Sequence, residues 1–202
     1  MRYLTAFGLS ALFLLAACKG GSEEDDAYPN MLTEFATIQT DSWGTMRTFT
    51  TDGGKTYTMT NPLTGYLEDY TYRAVCGYVP DGDRAYLRQA VEAYVLCDST
   101  SLAYQSDATG VVSMWRGGGY INMQLSPLTQ GGRQYWGFCV DSLRSRTTHL
   151  TLHHRQNGDP LSYTQTVYAS LPLESLSMVP EGDSIAVHVP TFKGDRVWLF
   201  KK

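Results

Sequence analysis

The chain has 202 residues, 43% of them apolar and 18% charged, with 19 Gly, 14 Tyr and a net charge of −4. That balance is too apolar for intrinsic disorder and too poor in charge for a coiled coil. A net negative charge without clustered Lys and Arg also excludes nucleic acid as the main partner.

The first elements are an address. Arg2 precedes a short apolar run from Leu4 to Ala17, below the roughly 20 residues of a membrane span, so it reads as a cleaved signal. Leu15-Ala16-Ala17-Cys18 resembles a lipobox, in which the Cys18 thiol carries the lipid; an ordinary secretory signal with a coincidental cysteine is the alternative. Residues 1–17 are thus expected to be a signal peptide and 18–30 an acidic flexible tether, with membrane association through the Cys18 lipid.

From Met31 onward the apolar residues alternate. Ala74, Cys76 and Tyr78 share one face of a run, with Arg73 and Val75 on the other. Ile121, Met123 and Leu125 repeat the pattern, as do Leu150 and Leu152, then Ile185, Val187 and Val189. Period-2 runs at short spacing predict an all-β protein, a barrel or a sandwich. Asp52-Gly53, Asp81-Gly82, Asn157-Gly158 and Gly131-Gly132 supply turns. Leu87 to Cys97 fits a strand, with a short helix as the alternative. The polar stretch Asp98–Gly110 reads as a boundary, dividing the chain into units at 31–106 and 107–202.

No catalytic constellation emerges. Asp52-Gly53-Gly54-Lys55-Thr56 lacks phosphate-loop spacing. His149 and His153 share a strand face but lie about 13 Å apart, and His153 and His154 point to opposite faces, so no metal site is expected. No cofactor is expected either. Cys76, Cys97 and Cys139 sit in apolar contexts; a Cys76–Cys97 disulfide is possible only if their Cα atoms come within about 7 Å. Trp115, Tyr120, Tyr135 and Trp136 flank glycine-rich stretches and read as core aromatics, or else as a platform for a sugar or a partner chain.

The segments SWGTMRTFTTDGGKTYTMTNP (42–62), YRAVCGYVPDGDRAYL (72–87), SMWRGGGYINMQL (113–125), HHRQNGDPLSYTQTVYASLPL (153–173) and GDSIAVHVPTFKG (182–194) together resemble the NigD-like lipoproteins of Bacteroidetes. The resemblance implies an N-terminal OB-like barrel followed by a C-terminal β-sandwich, and a bacteriocin-immunity role by family name only. It carries no catalytic or ligand-binding residues. The acidic run Glu23-Glu24-Asp25-Asp26 resembles the export signal of surface-displayed lipoproteins in the same phylum. The expectation is a non-enzymatic outer-membrane lipoprotein, facing the exterior rather than the periplasm, that binds an envelope protein or peptide. The alternative is a glycan-binding accessory of surface capture.

Overall fold

The computed structural model describes residues 30–99 and 106–202. The signal segment, Cys18 and the acidic run lie outside the described residues. Five strands close a barrel: β1 (Leu32–Thr40), β2 (Met46–Thr51), β3 (Thr56–Leu63), β4 (Thr71–Asp81) and β5 (Arg84–Glu92). Their order is β1-β2-β3-β5-β4, with β4 returning to β1. All pairings are antiparallel except β3 with β5. The barrel interior holds Ile38, Phe49, Tyr57, Met59, Cys76, Tyr78 and Leu87. Three of its rings, Phe49, Tyr57 and Tyr78, have centroids 5.0–5.4 Å apart.

The remaining strands are β6 (Tyr94–Val95), β7 (Gly110–Gly117), β8 (Tyr120–Ser126), β9 (Leu128–Thr129), β10 (Tyr135–Arg144), β11 (Thr147–Arg155), β12 (Tyr163–Thr164), β13 (Val167–Pro172), β14 (Ser184–Thr191) and β15 (Gly194–Lys201), with a 3-10 turn at Leu173–Leu176. They form two four-stranded sheets, β6-β13-β8-β7 and β10-β11-β14-β15, plus a ribbon of β12 with β9. Leu96, Ile121, Met123, Leu125, Phe138, Leu150, Leu152, Leu171, Ile185 and Val187 fill the space between the sheets, each almost wholly covered. Burying a side chain of this size contributes about 1.5–3 kcal/mol, so the alternation seen in the sequence is what holds the sandwich together. The all-β expectation, barrel first and sandwich second, is met.

Strand pairing changes hands between Glu92 and Tyr94. β5 belongs to the barrel, whereas β6 pairs in parallel with β13 of the sandwich. Ordered sandwich contacts therefore begin well before the polar stretch at 98–110. The turn after β2 also differs from a simple Asp-Gly hairpin. The Thr51 N–H donates to the Lys55 carbonyl at 2.9 Å, and the left-handed residue is Gly54 (φ +83°), not Gly53.

Strand β4 is buried on both faces from Arg73 to Tyr78. Ala74, Cys76 and Tyr78 point into the barrel, while Val75 packs outward with Phe35, Ala93 and Tyr168. The outward face is covered because the sandwich rests on it.

The Cys76–Cys97 disulfide considered from sequence is not formed. Cys76 is enclosed in the barrel core, whereas Cys97 is exposed beyond β6, and all three described cysteines are free thiols. The chain crosses from one unit to the other between the two positions, which separates them.

Candidate functional site

The junction between barrel and sandwich is built around Arg73, only 3% exposed. Its guanidinium meets the Asp52 carboxylate twice, Nη1 to Oδ1 and Nη2 to Oδ2, both at 2.7 Å. Nη2 also donates to Asn122 Oδ1 at 2.9 Å and Nε to Ser170 Oγ at 3.1 Å. Asn122 Nδ2 donates to Asp52 Oδ2 at 2.6 Å, and the Ser170 hydroxyl to Asn122 Oδ1 at 2.8 Å. Arg73 comes from β4 and Asp52 from the turn after β2; Asn122 and Ser170 come from β8 and β13 of the sandwich. The two units therefore share one closed polar cluster. Bidentate pairing satisfies the buried guanidinium and fixes orientation as well as distance.

Two rings and a glycine pair complete the lock. The Arg73 guanidinium lies 4.1 Å from the centroid of the Tyr120 ring and 5.2 Å from that of Phe35. Gly118, at φ +57°, lets the turn between β7 and β8 approach Asp52; a Cβ there would stand 2.3 Å from Asp52 Oδ1. Gly117 and Gly118 thus admit the neighbouring unit's backbone and side chain at Asp52.

Beside this lock opens a cleft of about 730 Å³. Tyr70, Tyr72, Tyr94 and Tyr120 line it, with Glu92 and Glu174 among them and Arg73 behind. Tyr70 and Tyr94 are each about half exposed, at 45% and 49%. Glu92 and Glu174 make no ion pair among the described residues, while Asp52 already pairs with Arg73. The cleft thus offers phenol rings and two carboxylates to whatever enters it. Clefts at domain junctions are preferred ligand sites because two rigid bodies supply their walls.

The four aromatic residues singled out from sequence are divided between the two sheets. Trp115 packs edge-on against Phe35, with centroids 5.4 Å apart, and Tyr120 covers Arg73. Trp136 stacks on His154 at 4.1 Å, and Tyr135 is exposed under the Arg133 guanidinium. Of the four, Tyr120 lines the cleft, and Trp136 lines a smaller hollow that shares Glu92 and Tyr94 with it. The cleft residues overlooked in the sequence, Glu92, Tyr94, Glu174 and Arg73, come from three separate stretches of chain, and Asp52, which pairs with Arg73 behind the cleft, from a fourth. The only local signal was a charged Arg73 inside an otherwise apolar run.

A second buried network lies within the sandwich, behind the smaller hollow. His154, fully covered, meets Gln134 Oε1 through Nε2 at 2.9 Å, and Gln134 Nε2 donates to Asp159 Oδ2 at 2.9 Å. The Thr129 hydroxyl also donates to Asp159 Oδ2, and the Gln130 N–H donates to Oδ1 at 2.9 Å. The Thr129 hydrogen bond above all, then those from Gln130, Gln134 and Gly132, outweigh burial and hold the Asp159 carboxyl down at about 2. Burial pulls His154 below its ordinary value, so it is kept as neutral imidazole. Among the described residues no three His, Cys, Asp or Glu side chains converge as a metal site, and no helix is long and apolar enough to cross a membrane.

A closed five-stranded barrel locked to a β-sandwich, with an open cleft at their junction, defines a two-unit all-β protein class. Residues 94–201 match the NigD-like C-terminal beta sandwich domain, and the chain belongs to that family. The family's domain begins where pairing passes to the sandwich, at β6. Among solved structures, a NigD-like immunity protein from Bacteroides caccae is 22% identical, with a TM-score of 0.67 over 86% of this chain and 93% of its own. A protein provisionally described as toxin-related, from Parabacteroides distasonis, is 16% identical, with a TM-score of 0.68 over 86% and 93%. Another, provisionally described as a lipoprotein, from Bacteroides fragilis, is 11% identical, with a TM-score of 0.61 over 86% and 98%. At these identities the likeness is one of fold. No functionally curated protein matches the chain in sequence.

Proposed function

We propose that this chain is a non-enzymatic lipoprotein of the outer membrane, facing the cell exterior, that binds a protein or peptide partner in the cleft between barrel and sandwich. The observation that carries the reading is the cleft itself: four tyrosine rings on walls held at a fixed angle by the buried Arg73 cluster. Preformed walls reduce the ordering cost of binding, and tyrosine contributes large contact area with few rotatable bonds. The immunity and toxin-related names of two structural neighbours support a partner-binding role, and the lipoprotein name of a third supports the anchor. Cys18, where the apolar run stops, is the proposed lipid attachment point, and the acidic segment after it the export signal. A narrower version assigns the partner to a bacteriocin system; unchanged bacteriocin sensitivity in a deletion strain would sink it.

The test is site-specific photo-crosslinking in intact cells. A crosslinker at position 94, in the cleft, is expected to trap a discrete partner, whereas one at Leu199, 70% exposed on the outer sheet, is not. Tyr70→Ala should abolish the adduct. If positions 94 and 199 trap the same species equally, the cleft is not the contact site. A second reading, glycan capture, is favoured by the pairing of Tyr rings with Glu92 and Glu174, since rings stack on sugar faces and carboxylates accept from hydroxyls. Glycan binding that is lost in Tyr94→Ala would select it over a protein partner.

A further inference from the structure

We infer that His149 and His188 form a clip for a divalent late-transition-metal ion on the outer face of the sandwich. β11 and β14 run parallel, with His149 opposite Ala186 and Thr151 opposite His188. The two histidines are therefore diagonal neighbours on adjacent strands of one sheet. Their side chains meet, with Nδ1 of His149 2.9 Å from Nε2 of His188. The ring centroids are 5.2 Å apart and the planes inclined by 37°. Both residues are half-buried, so the pair borders solvent.

Imidazole nitrogens are preferred ligands for Zn, Cu and Ni ions. With metal–nitrogen bonds of about 2.0–2.1 Å, two nitrogens sit about 2.9 Å apart when cis in a square plane and about 3.3 Å apart in a tetrahedron. The spacing that now accommodates one N–H···N hydrogen bond is thus already that of a cis pair of ligands. Exchange requires each ring to turn until its lone pair points at the ion instead of at the other nitrogen, and the proton between them to pass, through water, to the far nitrogen of its own ring. The backbone beneath is rigid: Leu150 and Val187, opposite one another and pointing inward, are fully buried in the core. Preorganised ligands on packed strands bind better than the same ligands on loops.

No third His, Cys, Asp or Glu converges with them among the described residues, so water fills the remaining coordination positions and the site is open to exchange. The Asp141 carboxylate on the neighbouring strand accepts from the Thr151 hydroxyl at 2.8 Å. The Irving–Williams order makes Cu(II) the tightest divalent occupant and Zn(II) or Ni(II) weaker ones. The inference concerns a surface away from the cleft and stands whether or not a partner binds there.

The experiment titrates Cu(II) into the full chain, prepared without a histidine tag and with exposed thiols alkylated. One equivalent is expected, with an electron paramagnetic resonance spectrum showing coupling to two imidazole nitrogens. His149→Gln and His188→Gln should each weaken binding at least tenfold, and the double variant should lose the two-nitrogen signature. Unchanged affinity and spectrum in the double variant would overturn the inference. A measurement that needs no variant is Zn(II) titration followed by histidine-ring nitrogen NMR. Shifts at His149 and His188 are expected; perturbation only of His153, His154 or other groups would equally refute the clip.

Discussion

A single arginine decides how the two units meet. Arg73 is buried with a carboxylate, an amide, a hydroxyl and two rings around it, and each of these partners loses a contact on its removal. Arg73→Met is expected to cost about 3–5 kcal/mol, because Asp52 is left as a largely covered charge without its counter-ion. Urea denaturation measures this, and Arg73→Met/Asp52→Ser should cost less than Arg73→Met alone. The buried acid–base groups set the pH range of the fold. His154 and His153 have folded values below the unfolded value near 6.5, chiefly through burial. A group with a depressed value takes up its proton more readily in the unfolded chain, so this stability is complete above pH 6.5 and is lost as pH falls below it. The Asp159 contribution, with its folded value near 2, is complete above about pH 4 and disappears between there and pH 2. Melting temperature against pH should therefore decline in two stages, and Asp159→Asn should remove the lower one. Thiol chemistry follows burial too. Cys76 is pushed up to about 12 by its enclosure, and Cys139 is raised by burial and then by Asp141 and Asp98, while Cys97 is exposed. Iodoacetamide at pH 7.5 is expected to label Cys97 first and to spare Cys76 until the barrel unfolds, as read by peptide mass mapping.

At the scale of elements, turns divide into those with a chemical signature and those without. Gly82 and the Asn157-Gly158 pair adopt left-handed backbone where the sequence places turn residues. The hairpin joining β10 to β11 carries no such signal. Ser145 and Arg146 take φ +46° and +62°, a conformation that suits Asn and Gly. Arg146 is held by its ion pair to the buried Asp183, at 2.7 Å, so the contact across to the loop before β14 offsets local strain. Ser145→Asn keeps that contact and should stabilise the protein by about 0.5–1 kcal/mol, seen as a higher urea midpoint with an unchanged slope. The same distinction explains the histidines: the sequence places His149 and His188 on strands facing one side, and the parallel pairing of β11 with β14 makes them neighbours.

At the scale of the whole molecule, barrel and sandwich are joined by more than a linker. The Ala93 N–H donates to the Arg73 carbonyl at 2.8 Å and the Leu96 N–H to the Ser170 carbonyl at 2.9 Å, so the crossing segment is hydrogen-bonded to both units. Phe35 meets Tyr168 and Trp115 across the junction. Such sharing predicts one cooperative unfolding transition, with tryptophan fluorescence and far-UV circular dichroism coinciding. In Arg73→Met the two signals should separate as the barrel melts ahead of the sandwich. Coincident transitions in that variant would show the apolar contacts alone to suffice.

Period-2 alternation and turn chemistry determined the β-rich class and the inward faces of β4, β8, β11 and β14, because burial on one sheet face is a local pattern that each strand carries in itself. The proposed address at the N-terminus rests on composition and spacing around Cys18 alone. Tertiary structure alone decided the rest. The cleft gathers Tyr70, Glu92, Tyr94, Tyr120 and Glu174 from both units, Arg73 bonds directly to a residue 97 positions away, and the histidine clip needs a parallel partner 39 residues away. Each depends on which strands become neighbours and in what register, a choice made by the packing of whole sheets and encoded in no single segment.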